Sequence, residues 1–257
     1  MLGAVIGDVV GSRFEFNNIK TKEFKLITDA SVFTDDTVMT VAVADILVNK
    51  KASDKEAVID TLKSWGKRYP NAGYGGHFFS WVLGSSRNPY NSCGNGSAMR
   101  VSAAGWVGSS EKEVIDLASK VTEVTHNHPA GMKGAIVTAL SIYYARTGKS
   151  KEFLREFMEE KYPEIKSLDY EELRRTYVHG PEICQVTLPQ ALYCFLISNS
   201  FEDCLRTTIS IGGDCDTTAA ISCAIAEAYY KDIPEALVNE VRSKLTPEML
   251  EVLDKIK

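Results

Sequence analysis

211-IGGDCDTTAAISCAIAEAYYK-231 sets two aspartates two residues apart, between paired glycines and paired threonines, directly before an apolar helical pattern. Asp and Thr are good N-caps, and carboxylates suit the positive end of a helix dipole. Capping needs one oxygen, however, and this stretch supplies three. It has an echo in 33-FTDDTVMT-40, where Thr and two Asp again precede an apolar helix. Bringing both helix starts together gathers four carboxylates, whose mutual repulsion is costly unless a cation neutralises it. Carboxylates and hydroxyls are hard oxygen ligands, which point to Mg²⁺ or Mn²⁺ rather than zinc. Four negative charges are enough for two divalent ions, which can hold and polarise a water and a substrate hydroxyl together. Adjacent Asp side chains on a regular helix diverge by about 100°, so both sets are expected where a helix begins.

Outward from these two motifs the chain reads as helical. Helical periodicity runs over 37–49, 54–69, 111–125, 131–146, 181–199, 202–210, 216–231 and 234–245, and strand-like alternation is scarce. Pro189 is expected to kink or interrupt its helix. The Gly-rich stretch 71–100 reads as functional loops rather than a linker, and 149-KSKEFLREFMEEK-161 as a solvated helix face. In 1-MLGAVIGDVVGSRFEF-16, Gly3, Gly7 and Gly11 recur every four residues and Glu15 continues the row. On a helix they form a stripe without side chains, against which another backbone or a ligand can come close. Glycine costs roughly 1 kcal/mol per helical position against Ala, so the row needs a reason, of which close helix packing is the plainest. With no domain boundary and no repeat, the reading is one all-α domain over residues 1–257.

The 257 residues are 44% hydrophobic and 25% charged, as in an ordinary soluble globular protein. A net charge of −5 without a Lys/Arg run leaves no nucleic-acid footprint. The six cysteines form no C-x-x-C pair and only four histidines could complete a zinc site. The first apolar run lacks a basic start and is interrupted by Asp8, which argues against a signal peptide, and no stretch has the length of a membrane span. A cytoplasmic monomer is expected.

D-x-D-T also occurs in haloacid-dehalogenase phosphatases, but there it ends a strand near the start of an α/β domain, and here too little chain follows position 214. The whole chain instead resembles the ADP-ribosylglycohydrolases. The match lies in 3-GAVIGDVVGSRFE-15, 34-TDDT-37, 94-GNGSAMR-100, 125-THNHP-129 and 212-GGDCDTTAAI-221, in the family's order.

That resemblance implies a compact all-α fold with a binuclear Mg²⁺ or Mn²⁺ centre in a cleft, its ligands falling on Thr34, Asp35, Asp36, Asp214, Asp216 and Thr217. Glu15 matches the family's glutamate, as general base or as a gate over the site. Ser92, Cys93, Gly94, Asn95 and Gly96 match the loop whose backbone amides hold the diphosphate of ADP-ribose, and His126 matches the histidine beside the ribose. His128 has no such match, and Met99 and Arg100 read as internal. N-G at 95–96 is also a plain turn signal, and His126 alone would read as a structural histidine. Cys215 departs from the family's frequent Thr, with its side chain expected to point away from the ligands. Ser222 and Glu227 stand where small glycines are common, which bears on packing. The implied reaction is metal-dependent hydrolysis at C1″ of ADP-ribose on a modified protein or small molecule, with arginine the expected acceptor. Three other readings stay open at this point: a serine or other acceptor, a non-catalytic ADP-ribose-binding or crystallin-like structural protein, and an immunity protein against a toxin's ADP-ribosylation.

Overall fold

The structure, a computed structural model, describes residues 1–256. Among them lie fifteen α-helices and no β-strand; the one β-bridge joins Gly94 and Ile183. The first half comprises α1 (Leu2–Gly11), α2 (Asp35–Val48), α3 (Lys55–Arg68), α4 (Gly76–Leu83), α5 (Gly96–Met99), α6 (Ser102–Val107), α7 (Glu111–Thr122) and α8 (Pro129–Arg146). The second comprises α9 (Lys151–Lys161), α10 (Tyr170–Thr176), α11 (Cys184–Ile197), α12 (Phe201–Ile211), α13 (Cys215–Tyr230), α14 (Glu235–Arg242) and α15 (Pro247–Leu253).

The centre of the bundle is α13, packed against α1, α12, α11 and α8. Every residue from Cys215 to Ala226 is buried, as a helix apolar on all sides requires. On α2 the run Val38–Ala44 is likewise buried. Surface helices are amphipathic: α9 buries only Leu154 and Met158 of its eleven residues.

The glycine row is a packing device. A Cβ added at Gly7 would lie 2.4 Å from the Ala219 carbonyl carbon and oxygen, and one at Gly11 2.5 Å from the Asp216 Cα. Backbone meets backbone along α1 and α13, which sets Asp8 of α1 beside the start of α13. The departures at 222 and 227 are accommodated. Ser222 Oγ lies 2.9 Å from Thr208 Oγ1 on α12, and Glu227 accepts the amides of Leu2 and Gly3 at 2.9 and 2.8 Å. Glu227 thus supplies the negative charge that the start of α1 lacks in its own first turn.

Three expectations need correction. α11 continues through Pro189 without interruption, because Leu188 and Pro189 are both buried in the core and packing holds the helix where the missing N–H would break it. The Gly-rich stretch 71–100 is not all loop: α4 and α5 lie within it, and α4 buries Phe78, Trp81 and Val82. Glu15 does not continue the helical row, since α1 ends at Gly11 and a turn carries the chain on.

Candidate active site and metal centre

The first motif is held by the start of α2. Thr34 is its N-cap, with extended backbone, and its side chain accepts the Asp36 amide at 3.3 Å. Asp35 and Asp36 occupy the first turn, and the Asp35 amide donates to the Ala72 carbonyl at 2.7 Å. Beneath them sits Asp8, fully buried. Its carboxylate accepts the amides of Thr34 and Thr37 at 2.9 and 3.0 Å, the Thr34 hydroxyl at 2.7 Å, and the Thr37 hydroxyl.

The second motif is held by a left-handed turn. Gly212 and Gly213 have φ of 78° and 72°, a region that favours glycine. A Cβ at Gly213 would lie 2.3 Å from the Tyr177 ring. Asn18 clamps the turn: its Nδ2 donates to the Gly213 carbonyl at 2.9 Å, and its Oδ1 accepts the Gly213 amide at 2.8 Å. Asp214 is then the N-cap of α13 but makes no cap hydrogen bond from its side chain. That carboxylate is aimed elsewhere, and its Oδ2 accepts Asn95 Nδ2 at 2.6 Å.

The two motifs meet. Thr217 Oγ1 donates to Asp36 Oδ2 at 3.1 Å. Asp8, Asp36 and Asp216 each place a carboxylate oxygen within 4.8 Å of the others, and so do Glu15, Asp214 and Asp216. Burial, then mutual repulsion, raises Asp35, Asp36 and Asp216 well above the usual carboxylate range. Glu15, half-buried, is pushed up to about 7 by burial and by the charges of Asp214, Glu182 and Asp8. Asp36 Oδ1 and Asp216 Oδ1 are buried with no hydrogen-bond partner. Buried carboxylate oxygens of this kind need a proton or a cation. Hard oxygens converging from two helix starts fit Mg²⁺ or Mn²⁺.

The glycine loop forms the far wall of the same cleft. Ser92 Oγ accepts the Gly94 amide at 3.1 Å, the Asn95 amide donates to the Glu182 carbonyl at 3.0 Å, and the Cys93 carbonyl accepts the Cys184 amide at 2.9 Å. Two of the loop's amides are therefore engaged inside the protein. Gly96 opens α5 and faces His126: a Cβ there would be 3.3 Å from His126 Nε2. His126 is buried, and desolvation, with the Arg100 charge second, holds it well below the usual histidine range. His128 instead caps α8, accepting the Ala130 amide at 3.1 Å. Cys215 points away from the carboxylates, its Sγ 3.8 Å from the Gly11 carbonyl.

The residues expected to hold metal or ADP-ribose, with Glu15, thus line one cleft, all except Cys93. Asp8 and Asn18 are the additions. Asp8 had a signal, a lone carboxylate in an apolar run; Asn18 had none, since only the fold brings it to Gly213.

The sequence model of the ADP-ribosylglycohydrolase family matches residues 1–256. The chain belongs to the ADP-ribosylglycohydrolase family. It is 29% identical to the ADP-ribosylhydrolase ARH3 of Mus musculus, over 92% of this chain and 84% of the relative. It is 24% identical to the ADP-ribosyl-[dinitrogen reductase] glycohydrolase of Rhodospirillum rubrum, over 98% and 92%. A solved structure described as an ADP-ribosylglycohydrolase-related protein complex superposes with a TM-score of 0.70 at 21% identity, covering 100% of this chain and 96% of that one, and shares its fold. Family membership makes the chain an ADP-ribosylglycohydrolase by enzyme class. No described helix is long and apolar enough to cross a membrane.

Proposed function

We propose that the protein removes ADP-ribose from modified arginine side chains by hydrolysing the bond at C1″ of the distal ribose. The observation that carries this reading is the convergence of both acidic motifs and Glu15 on one cleft walled by the glycine loop and His126. Thr34, Asp35, Asp36, Asp214, Asp216 and Thr217 are the residues proposed to hold two Mg²⁺ or Mn²⁺ ions. When bound, those ions supply charge stabilisation to the ribose hydroxyls and to a water near C1″.

The chain's own residues do the rest. Asp8 keeps the hydroxyl of Thr34 and the first turn of α2 in place. Asn95 restrains Asp214 from the opposite wall. Glu15, with its proton affinity raised into the neutral range, takes a proton from the water. The water oxygen bonds to C1″ while the bond to the acceptor nitrogen breaks. The electron pair leaves on that nitrogen, which receives the proton. Positioning of water and ribose supplies much of the remaining acceleration.

Arginine is favoured by the mouth of the cleft. Glu15 and Glu182 both stand there, with His179 Nε2 4.0 and 3.4 Å from them. Two carboxylates at an opening suit a planar guanidinium better than a serine hydroxyl.

The test is ADP-ribose release from matched ADP-ribosyl-arginine and ADP-ribosyl-serine peptides in Mg²⁺, Mn²⁺ or EDTA, followed by mass spectrometry. Metal-dependent release from the arginine peptide alone is the expected result. Release from serine alone would replace the acceptor, and release that persists in EDTA would sink the binuclear centre.

A further inference from the structure

Arg100 is 1% exposed, and none of its hydrogen bonds among the described residues is to a carboxylate. Its Nε has no partner at all. Burial pulls its pKa down only to about 10, so it remains charged at neutral pH. Asp35 offsets this charge only through space, without a direct contact, and arginine is seldom wholly buried unless paired. Its directional contacts are therefore informative. Arg100 Nη2 donates to Thr125 Oγ1 at 2.6 Å and lies 3.3 Å from His126 Nδ1. Thr125 Oγ1 is itself 2.8 Å from His126 Nδ1.

Guanidinium is a donor only. With its oxygen already accepting from Arg100, the Thr125 hydroxyl has its own proton left for Nδ1. The hydroxyl can donate or accept there, but the guanidinium can only donate, so the Arg100 contact is the one that requires a lone pair on His126 Nδ1. In a neutral ring the proton is then on Nε2. That nitrogen faces the glycine turn, where a Cβ built on Gly94 or Gly96 would lie 3.5 or 3.3 Å from it. Glycine at both positions leaves room for a ligand oxygen above the ring nitrogen.

We propose that Arg100 is a positioning residue that holds His126 as the neutral Nε2–H tautomer, aimed to donate a hydrogen bond to an oxygen of the ligand seated against the Gly94–Gly96 turn. This rests on the reading above only for the identity of that ligand as ADP-ribose. Thr125 Oγ1 contacts both groups, and the Phe78 ring lies 5.6 Å from Arg100 Cζ.

The test is imidazole ¹⁵N spectroscopy of the full-length protein at neutral pH, with the His126 signals assigned through His126→Gln, alongside ADP-ribose titration. Wild-type protein should show His126 protonated on Nε2 and bare on Nδ1. Arg100→Met should populate both tautomers and raise the Kd for ADP-ribose about tenfold, the loss of one directed hydrogen bond. Thr125→Val keeps the arginine and should keep the Nε2–H tautomer. A wild-type His126 that carries its proton on Nδ1, or on both nitrogens, overturns the proposal even if Arg100→Met fails to fold. So does Arg100→Met with an unchanged tautomer and Kd, or Thr125→Val with a switched tautomer. A wild-type protein with the Nε2–H tautomer that does not bind ADP-ribose supports the role of Arg100 and removes the ligand assignment instead.

Discussion

Asp8 Oδ1 accepts the Thr34 hydroxyl at 2.7 Å, joining the first helix to the first acidic motif. The other oxygen of the same carboxylate accepts the amides of Thr34 and Thr37. Asp8→Ala leaves these donors without a partner in the interior, at about 1–3 kcal/mol for a group left unsatisfied. The variant should unfold at lower urea and show weaker Mn²⁺ binding by calorimetry. Wild-type Mn²⁺ affinity in a folded Asp8→Ala protein would reduce Asp8 to a packing residue.

Without metal, the acidic cluster opposes folding in a pH-dependent way. Asp35, Asp36 and Asp216 are raised by burial and repulsion, so the folded state holds protons there that the unfolded chain, with carboxylates near 3.9, releases. A raised folded pKa gives stability that is full below the unfolded pKa and lost as pH rises through the folded one. The Tm of EDTA-treated protein should therefore fall between pH 5.5 and 8. Mg²⁺ or Mn²⁺ at about 100 times its Kd adds about 2.7 kcal/mol, or roughly 5–10 °C for a chain of this size, with more gained at pH 8 than at pH 5.5. Asp216→Asn should flatten the EDTA curve; a wild-type curve already flat in EDTA would contradict the repulsion argument.

Glu15 is the group placed to move a proton. Replacement by Gln keeps the shape and removes the base, so ADP-ribose affinity should stay and turnover should fall about 10²-fold or more. Glu15 acts deprotonated, so kcat/KM should rise with pH along an acid limb. Burial, then repulsion from Asp214, Glu182 and Asp8, pushes Glu15 up to about 7; bound cations offset the repulsive part, which places the midpoint of that limb below 7. Stopped assays of ADP-ribose release from pH 5 to 8 measure it. An unchanged rate in Glu15→Gln removes Glu15 from the mechanism.

What could be read from the sequence follows from where the cause of each feature lies. α2 and α13 were legible because a polar cap and a long apolar run are adjacent in the chain. The ligand candidates were legible because two motifs repeat one unusual charge pattern. α4 was not, since its short aromatic run lies among glycines and is held by burial of Phe78 and Trp81 rather than by periodicity. Pro189 misled for a related reason: the core around it overrides local propensity. Asn18 is far from Gly213 in sequence, and Arg100 acts on His126, which lies in a different motif, so neither role has a local signature.

The contact of Gly7 with Ala219 separates a packing effect from a chemical one. On an exposed helix Gly→Ala stabilises by roughly 1 kcal/mol. Here the new Cβ would lie 2.4 Å from the Ala219 carbonyl carbon and oxygen, and a backbone cannot rotate aside. Overpacking costs about 1–3 kcal/mol, so Gly7→Ala should be destabilised in urea. Forcing α1 from α13 also moves Asp8 away from Asp216, which share one carboxylate cluster, so Mn²⁺ affinity should fall as well. Gly66→Ala is the control: its Cβ would meet the Val82 methyls at 2.9 and 3.0 Å, between α3 and α4. It should lose stability and keep Mn²⁺ affinity. Equal losses of Mn²⁺ affinity in both variants would mean that general loosening, not the spacing of α1 and α13, governs the cation site.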